Sequence, residues 1–114
     1  MHNIFVYGTL KRGWGNHYLI QDQEYVSNAT TVDHSFQMYS LGGFPGVVSG
    51  DKQITGELYK VNDLAFKYCD QLEGHPNFYE RKKVHVEDAD GNIVSAWIYI
   101  YKGNTENLEP IDIW

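Results

Sequence analysis

Ile4-Phe5-Val6-Tyr7-Gly8-Thr9-Leu10-Lys11-Arg12-Gly13 constrains the fold of this chain more than any other stretch. Three residues, all β-branched or aromatic, run straight into Tyr-Gly-Thr-Leu. A run of this kind reads as a buried strand. Gly8 then allows the backbone to bend where a residue with a Cβ would clash. Beyond the bend, the main-chain N–H groups from Gly8 to Leu10 have no obvious ladder partner. Unpaired N–H groups in that position form a concavity suited to a carboxylate or a developing oxyanion. The same residues also fit an ordinary strand end with a turn glycine.

Bulk properties exclude several classes. At 114 residues the chain is expected to form one domain, residues 1–114, able to bury a core without disulfides or metal. Nine tyrosines within a 15% aromatic share point to many half-buried rings with polar tips. A net charge of −6 argues against a nucleic-acid partner, which requires Lys and Arg gathered on one face. The only basic triplet, Arg81-Lys82-Lys83, is expected on the solvent face of a strand. One cysteine rules out an internal disulfide framework and a cysteine-rich zinc site. The five histidines, at 2, 17, 34, 75 and 85, show no metal-ligand spacing, so neither metal nor cofactor is expected. No apolar run nears the roughly 20 residues of a membrane span. The first strand begins too early to leave room for a signal peptide, and a cytoplasmic location is the expectation.

Taken in order, the first strand and bend lead into a glycine-bearing loop and one or two helical turns at His17-Tyr18-Leu19-Ile20. Asn16 either caps that short helix or braces the bend from behind. Strands are expected over 24–32 and 34–41. Gly42-Gly43-Phe44-Pro45-Gly46 reads as a tight turn, open to a ligand approaching its backbone, with Val47-Val48 a short strand remnant. Gln53 to Val61 alternates as a strand, Ile54, Gly56 and Leu58 against Thr55, Glu57 and Tyr59. Gly56 inside it marks a bulge or a close backbone neighbour. Asn62 is a good N-cap and Asp63 suits the first turn of the helix that follows. Leu64, Tyr68 and Leu72, with Ala65 and Cys69 beside them, predict its apolar stripe. Gly74 fits the C-terminal cap and Pro76 prevents continuation. Tyr79 to Glu87 and Ile93 to Tyr101 form a hairpin around Asp90-Gly91-Asn92. The second of these strands is apolar on both faces and should lie centrally. From Gly103 onward the chain is mostly polar and is expected to pack late. About six strands, one main helix and one short helix make an α+β fold with a small, mostly antiparallel, barrel-like sheet.

Glu73 occupies the last helical position, just before the capping glycine. The helix macrodipole places partial negative charge there, so a carboxylate costs roughly 0.3–1 kcal/mol where Lys or Arg would be favoured. That dipole, with burial, would raise the carboxyl's pKa and make it a better base near neutral pH. The alternatives are an exposed helix end or an ion pair with Arg81 or Lys82. Asp70, in the same final turn, is expected to be solvated surface. Cys69 is read as a small buried hydrophobe.

Three blocks in order resemble the γ-glutamylcyclotransferase-like superfamily, in particular its γ-glutamylamine cyclotransferase branch. These are Val6-Tyr7-Gly8-Thr9-Leu10-Lys11-Arg12-Gly13 with Asn16-His17, Gly56-Glu57-Leu58-Tyr59, and Leu72-Glu73-Gly74-His75-Pro76 with Tyr79 and Arg81. The resemblance spans roughly residues 4 to 101 and implies a small mixed barrel flanked by helices. It implies that Glu73 is the catalytic acid/base, and that Tyr7, Gly8, Thr9 and Leu10 bind the substrate through their N–H groups. Tyr79 and Tyr101 match aromatic positions near the pocket of similar proteins, and equally fit as core tyrosines. The implied substrate is a small molecule with an L-γ-glutamyl group in amide linkage, cyclised to 5-oxoproline with release of the amine. A non-catalytic carboxylate-binding module on the same fold and a thiol hydrolase built on Cys69 are the competing readings.

Overall fold

The computed structural model describes residues 1–114. Its elements are β1 (His2–Val6), a 3-10 turn (His17–Leu19), β2 (Glu24–Thr31), β3 (Phe36–Ser40), β4 (Pro45–Ser49) and β5 (Thr55–Val61). They continue with α1 (Asp63–Glu73), β6 (Tyr79–Asp88), β7 (Ile93–Tyr101) and β8 (Glu109–Ile111). Strands β1, β5, β2, β6 and β7 pair in that order and close into a barrel. All of these pairings are antiparallel except the closing one, where β1 and β7 run parallel. Strands β4, β3 and β8 form a separate antiparallel sheet.

The unbroken apolar run of β1 follows from burial on both faces. Ile4 and Val6 enter one hydrophobic cluster with Tyr59, Phe66 and Cys69, beneath the helix. Phe5 and Tyr7 enter another, which gathers residues from every barrel strand plus Met38 and Val47 of the small sheet. Ile4 and Phe5 are fully buried, each stabilising the fold by about 1.5–3 kcal/mol relative to exposure. Gly56 is the close neighbour its position suggests. A Cβ there would lie 2.3 Å from the Val6 carbonyl oxygen, so only glycine lets β5 approach β1.

The helix begins and ends as its caps dictate. The Asn62 side chain accepts from the Ala65 N–H at 2.8 Å, and Gly74 takes the left-handed conformation at φ 62°. Its buried face differs from the expected stripe. Leu64, Tyr68 and Leu72 are 57%, 44% and 40% exposed, whereas Ala65, Phe66 and Cys69 are buried. Small residues at 65 and 69 let the helix lie close on the barrel, and the bulkier line one residue earlier is turned outward. Two strand expectations also change. The Val47-Val48 remnant belongs to the five-residue β4, and the polar tail contributes β8, which pairs with β3. The strand total is therefore eight, divided between two sheets. No helix is long and apolar enough to cross a membrane.

Candidate active site

A cavity of about 300 Å³ opens where the end of β1, the C-terminus of α1 and the β3–β4 turn converge. That is the lower end of the range for small-molecule sites. Its lining includes Tyr7, Gly8, Thr9 and Leu10 on one side and Glu73 and Tyr79 on another, with Gly43, Phe44 and Pro45 closing it. Tyr7, Leu10, Tyr79 and Tyr99 are buried. Tyr101 does not line it; its ring packs behind, 5.8 Å from Tyr79 and 5.4 Å from Phe78. The bend and the carboxylate, 63 residues apart in sequence at their nearest, thus share one space because β1 and α1 pack on the same cluster.

The N–H groups of Gly8, Thr9 and Leu10 donate to no carbonyl or side chain of the protein. Surrounding bonds hold the bend rigid. The Gly8 carbonyl accepts from Lys11 N–H at 3.1 Å, and Thr9 O accepts from Asn16 N–H at 3.0 Å. Asn16 Nδ2 donates to Thr9 Oγ1 at 2.9 Å, and Asn16 makes no side-chain cap on the short helix. Asn16 is therefore the brace rather than the cap. Gly8 does not adopt a positive φ, so the reason for glycine is steric. A Cβ there would lie 2.8 Å from Pro45 Cγ and 2.9 Å from Pro45 Cδ.

Two buried tyrosines, one on each side, fix the walls. The Tyr79 hydroxyl donates to the Pro45 carbonyl at 2.6 Å. The Tyr7 hydroxyl donates to the Tyr99 carbonyl at 2.7 Å and accepts from Val47 N–H at 3.2 Å, tying β4 to β7. The Gly42-Gly43 turn is the tight turn expected and lies at the cavity edge. Gly42 supplies the left-handed residue at φ 101°, and Gly43 borders the cavity.

Glu73 is half-buried at the helix end and makes no hydrogen bond or ion pair. Burial raises its carboxyl from 4.5 to about 7. The expected partners are engaged elsewhere: Arg81 Nε lies 2.9 Å from Asp70, and Lys82 Nζ is 3.9 Å from Glu80. Burial also raises the phenols of Tyr7, Tyr79 and Tyr99, and the nearby Glu73 carboxylate adds to each. A carboxyl titrating near neutrality among aromatic walls is able both to take up and to return a proton.

Asp70 is not solvated surface. It accepts from Arg81 Nε at 2.9 Å and from the Tyr99 hydroxyl at 2.7 Å, linking the helix end to β6 and β7. Arg81 likewise leaves the solvent face assigned to the basic triplet. Its guanidinium lies 4.4 Å from the Phe66 ring centroid and 4.5 Å from that of Trp97. The alternation of β6 carried the signal: Tyr79 and Arg81 point the same way, toward the helix. Cys69 is fully buried and its thiol is pushed up to about 12, mainly by burial, so it is no nucleophile. No group of three or more His, Cys, Asp or Glu side chains is placed to hold a metal ion.

The family described as "Gamma-glutamyl cyclotransferase, AIG2-like" matches residues 4–113. The chain belongs to this family. It is a γ-glutamylcyclotransferase-like enzyme in sequence and fold. A relative from Methanocaldococcus jannaschii, provisionally named a γ-glutamylcyclotransferase, is 36% identical over 104 residues, covering 89% of this chain and 85% of its own. The γ-L-glutamyl-butirosin B γ-glutamyl cyclotransferase of Niallia circulans is 29% identical over 107 residues, covering 89% and 67%. The crystal structure of an AIG2-like protein from Mus musculus superposes with a TM-score of 0.88 at 28% identity, covering 100% of this chain and 88% of that one.

Proposed function

We propose that this enzyme cyclises an L-γ-glutamyl amide to 5-oxoproline and releases the amine, with Glu73 as the general acid/base. The observation that carries the reading is one cavity holding both the free N–H groups of Gly8–Leu10 and a partnerless carboxyl raised to about 7. The substrate's α-ammonium gives a proton to Glu73, and the freed amine attacks the γ-carbonyl carbon. The ring C–N bond forms and the exocyclic amide C–N bond breaks. The proton held by Glu73 passes to the departing nitrogen, and the second proton that the ring nitrogen loses on becoming an amide follows through the same carboxylate, so the amine leaves as its ammonium ion. Protons balance without water, metal or cofactor.

An α-ammonium ordinarily titrates near 8, so a carboxylate at 4.5 would be a poor acceptor. Moving that carboxyl to about 7 makes the transfer about 3 kcal/mol less unfavourable, at about 1.36 kcal/mol per pH unit. The N–H groups of the bend serve the substrate's α-carboxylate or the tetrahedral oxyanion, a contribution typically worth about 3 kcal/mol per donor. Cavity walls fold the glutamyl chain back so that amine and carbonyl meet. The relative named as a γ-L-glutamyl-butirosin B γ-glutamyl cyclotransferase supports a γ-glutamyl substrate. A panel of γ-glutamyl amides, read as 5-oxoproline and free amine in equal amounts, tests the reading. Release is expected from the wild-type protein and should fall about 10²–10⁴-fold in Glu73→Gln. Equal turnover by both proteins would put the base elsewhere.

A further inference from the structure

The free N–H groups of the bend are aimed by whatever holds its carbonyls. In a planar trans peptide the C=O of one residue and the N–H of the next point in opposite directions. The Gly8 and Thr9 carbonyls accept from the Lys11 and Asn16 N–H groups, which turns the N–H groups of Thr9 and Leu10 the other way. The Leu10 carbonyl accepts from His17 Nδ1 at 2.9 Å. All of these donors belong to residues 11–17, so they fix the shape of the bend but not its place on the barrel.

Its place is set at both ends by one residue of β5. At the entry, Val6 of β1 pairs with Glu57 across the sheet. At the exit, Glu57 Oε1 accepts from the Arg12 N–H at 3.0 Å. That carboxylate is itself fixed. The Tyr59 hydroxyl donates to the same oxygen at 2.8 Å, and Arg12 Nε lies 3.8 Å from Oε2. Tyr59 is buried in the cluster beneath the helix, and the Arg12 guanidinium lies 3.9 Å from the Tyr25 ring centroid. Only 13% of the Glu57 side chain is exposed, in a residue type that is ordinarily solvated. The other tie from the bend to the rest of the chain, Lys11 Nζ to the Trp114 carbonyl at 2.7 Å, runs through a flexible four-carbon stem.

We propose that Glu57 is a positioning residue, which staples both ends of the bend to β5 and so fixes the Gly8–Leu10 N–H groups relative to Glu73. Its effect on turnover rests on the cyclotransferase reading. Glu57 does not line the cavity, so it reaches a substrate only through the bend. A hydrogen bond from a main-chain N–H to a carboxylate is about twice as strong as one to a neutral acceptor. Donors aimed at an α-carboxylate or an oxyanion require that rigidity, because a misplacement of about 1 Å costs on the order of 10²-fold in rate.

The test uses Glu57→Ala, Glu57→Gln and Tyr59→Phe, each confirmed folded by a thermal melt. Turnover of γ-glutamyl-n-butylamide gives kcat and KM, and ¹⁵N relaxation gives the order of the Gly8, Thr9 and Leu10 amides. Glu57→Ala should lower kcat/KM at least about tenfold. It should also take the amide order parameters from about 0.85 toward about 0.6. Glutamine keeps an oxygen for the Arg12 N–H, so Glu57→Gln should stay within about threefold of the wild type, with its amides ordered. A loss read in KM puts the N–H groups on the α-carboxylate and a loss in kcat puts them on the oxyanion; either supports the staple. Unmoved amides in Glu57→Ala overturn it, as do loosened amides with unchanged turnover. A Glu57→Gln protein as impaired as Glu57→Ala also overturns it, since charge would then be the cause. Should Glu57→Ala not fold, Tyr59→Phe decides. Amides loosened there support the staple, and amides like those of the wild type overturn it. If the wild-type protein releases no 5-oxoproline, the reaction falls and relaxation alone judges the staple. Loosening in Glu57→Ala with recovery in Glu57→Gln keeps it.

Discussion

Glu73→Gln tests the chemistry and the energetics at once, because the structure assigns the carboxylate a stability cost. The carboxyl is raised from 4.5 to about 7 by burial. A raised folded-state pKa means that the fold favours the protonated form. Its contribution to stability is fully present below about pH 4.5 and is lost as pH rises through about 7. At about 1.36 kcal/mol per pH unit, the full loss is about 3 kcal/mol by pH 8. The helix macrodipole alone would cost only about 0.3–1 kcal/mol, so burial is the larger effect. Glutamine keeps the shape and cannot ionise. Urea unfolding of both proteins at steps from pH 4.5 to 8.5 isolates this group, since the other titrating residues cancel in the difference. The Glu73→Gln protein should gain on the wild type progressively across that interval. The gain at pH 8 should approach about 3 kcal/mol, on the order of 10 °C in Tm for a chain of this size. A difference flat with pH would show that Glu73 is solvated. A Glu73→Gln protein less stable at pH 8 would show a structural ion pair and refute the burial argument.

Three further outcomes are expected. The wild-type kcat/KM should rise with pH through about 7 as Glu73 ionises, and a profile flat from pH 6 to 8 would speak against it as the base. Gly8→Val should raise KM at least tenfold and cost about 1–3 kcal/mol in urea unfolding, because the added Cβ would sit 2.8 Å from Pro45 Cγ. Cys69→Ala, together with EDTA treatment, should leave kcat within about twofold, and a large loss from either would restore a thiol or metal role. The cysteine substitution should still lower stability by roughly 1–2 kcal/mol, since the side chain is fully buried.

The elements legible in the sequence are those whose signals are local. Caps at Asn62 and Gly74, the turn at Asp90-Gly91-Asn92 and the two-sided burial of β1 are all set by residues a few positions apart. Gly56 is legible because a glycine amid an alternating strand leaves a gap in the packed face, which only a bulge or a close neighbour fills. The second sheet is not legible. Its β8 is a three-residue strand in a polar tail, and it exists through pairing with β3, about 70 residues earlier. Likewise Asp70 offers no local reason to bond Arg81 and Tyr99, which reach it only when β6 and β7 cross the helix end.

Glu73 is visible in the sequence for one physical reason and is unusual for a stronger one. Its position before the C-terminal glycine makes it a poor helix end on electrostatic grounds alone. The observed helix adds what the expected stripe concealed. Ala65 and Cys69 are the buried line of the helix, and the next residue at the same spacing is Glu73. An apolar side chain there would complete the packing face. A carboxylate in that place must be half-buried whatever its partners, and Arg81 is committed to Asp70. Asp70 braces β6 and β7 and holds the Arg81 guanidinium, while Glu73 has no partner, and an unpaired buried carboxyl is one raised toward neutrality. Removing that hold, as in Asp70→Asn, should let Arg81 move toward Glu73, lower its pKa and shift the kcat/KM profile to lower pH. A profile that stays centred at about 7 in Asp70→Asn would mean that burial alone sets the titration and that Asp70 is only a structural brace.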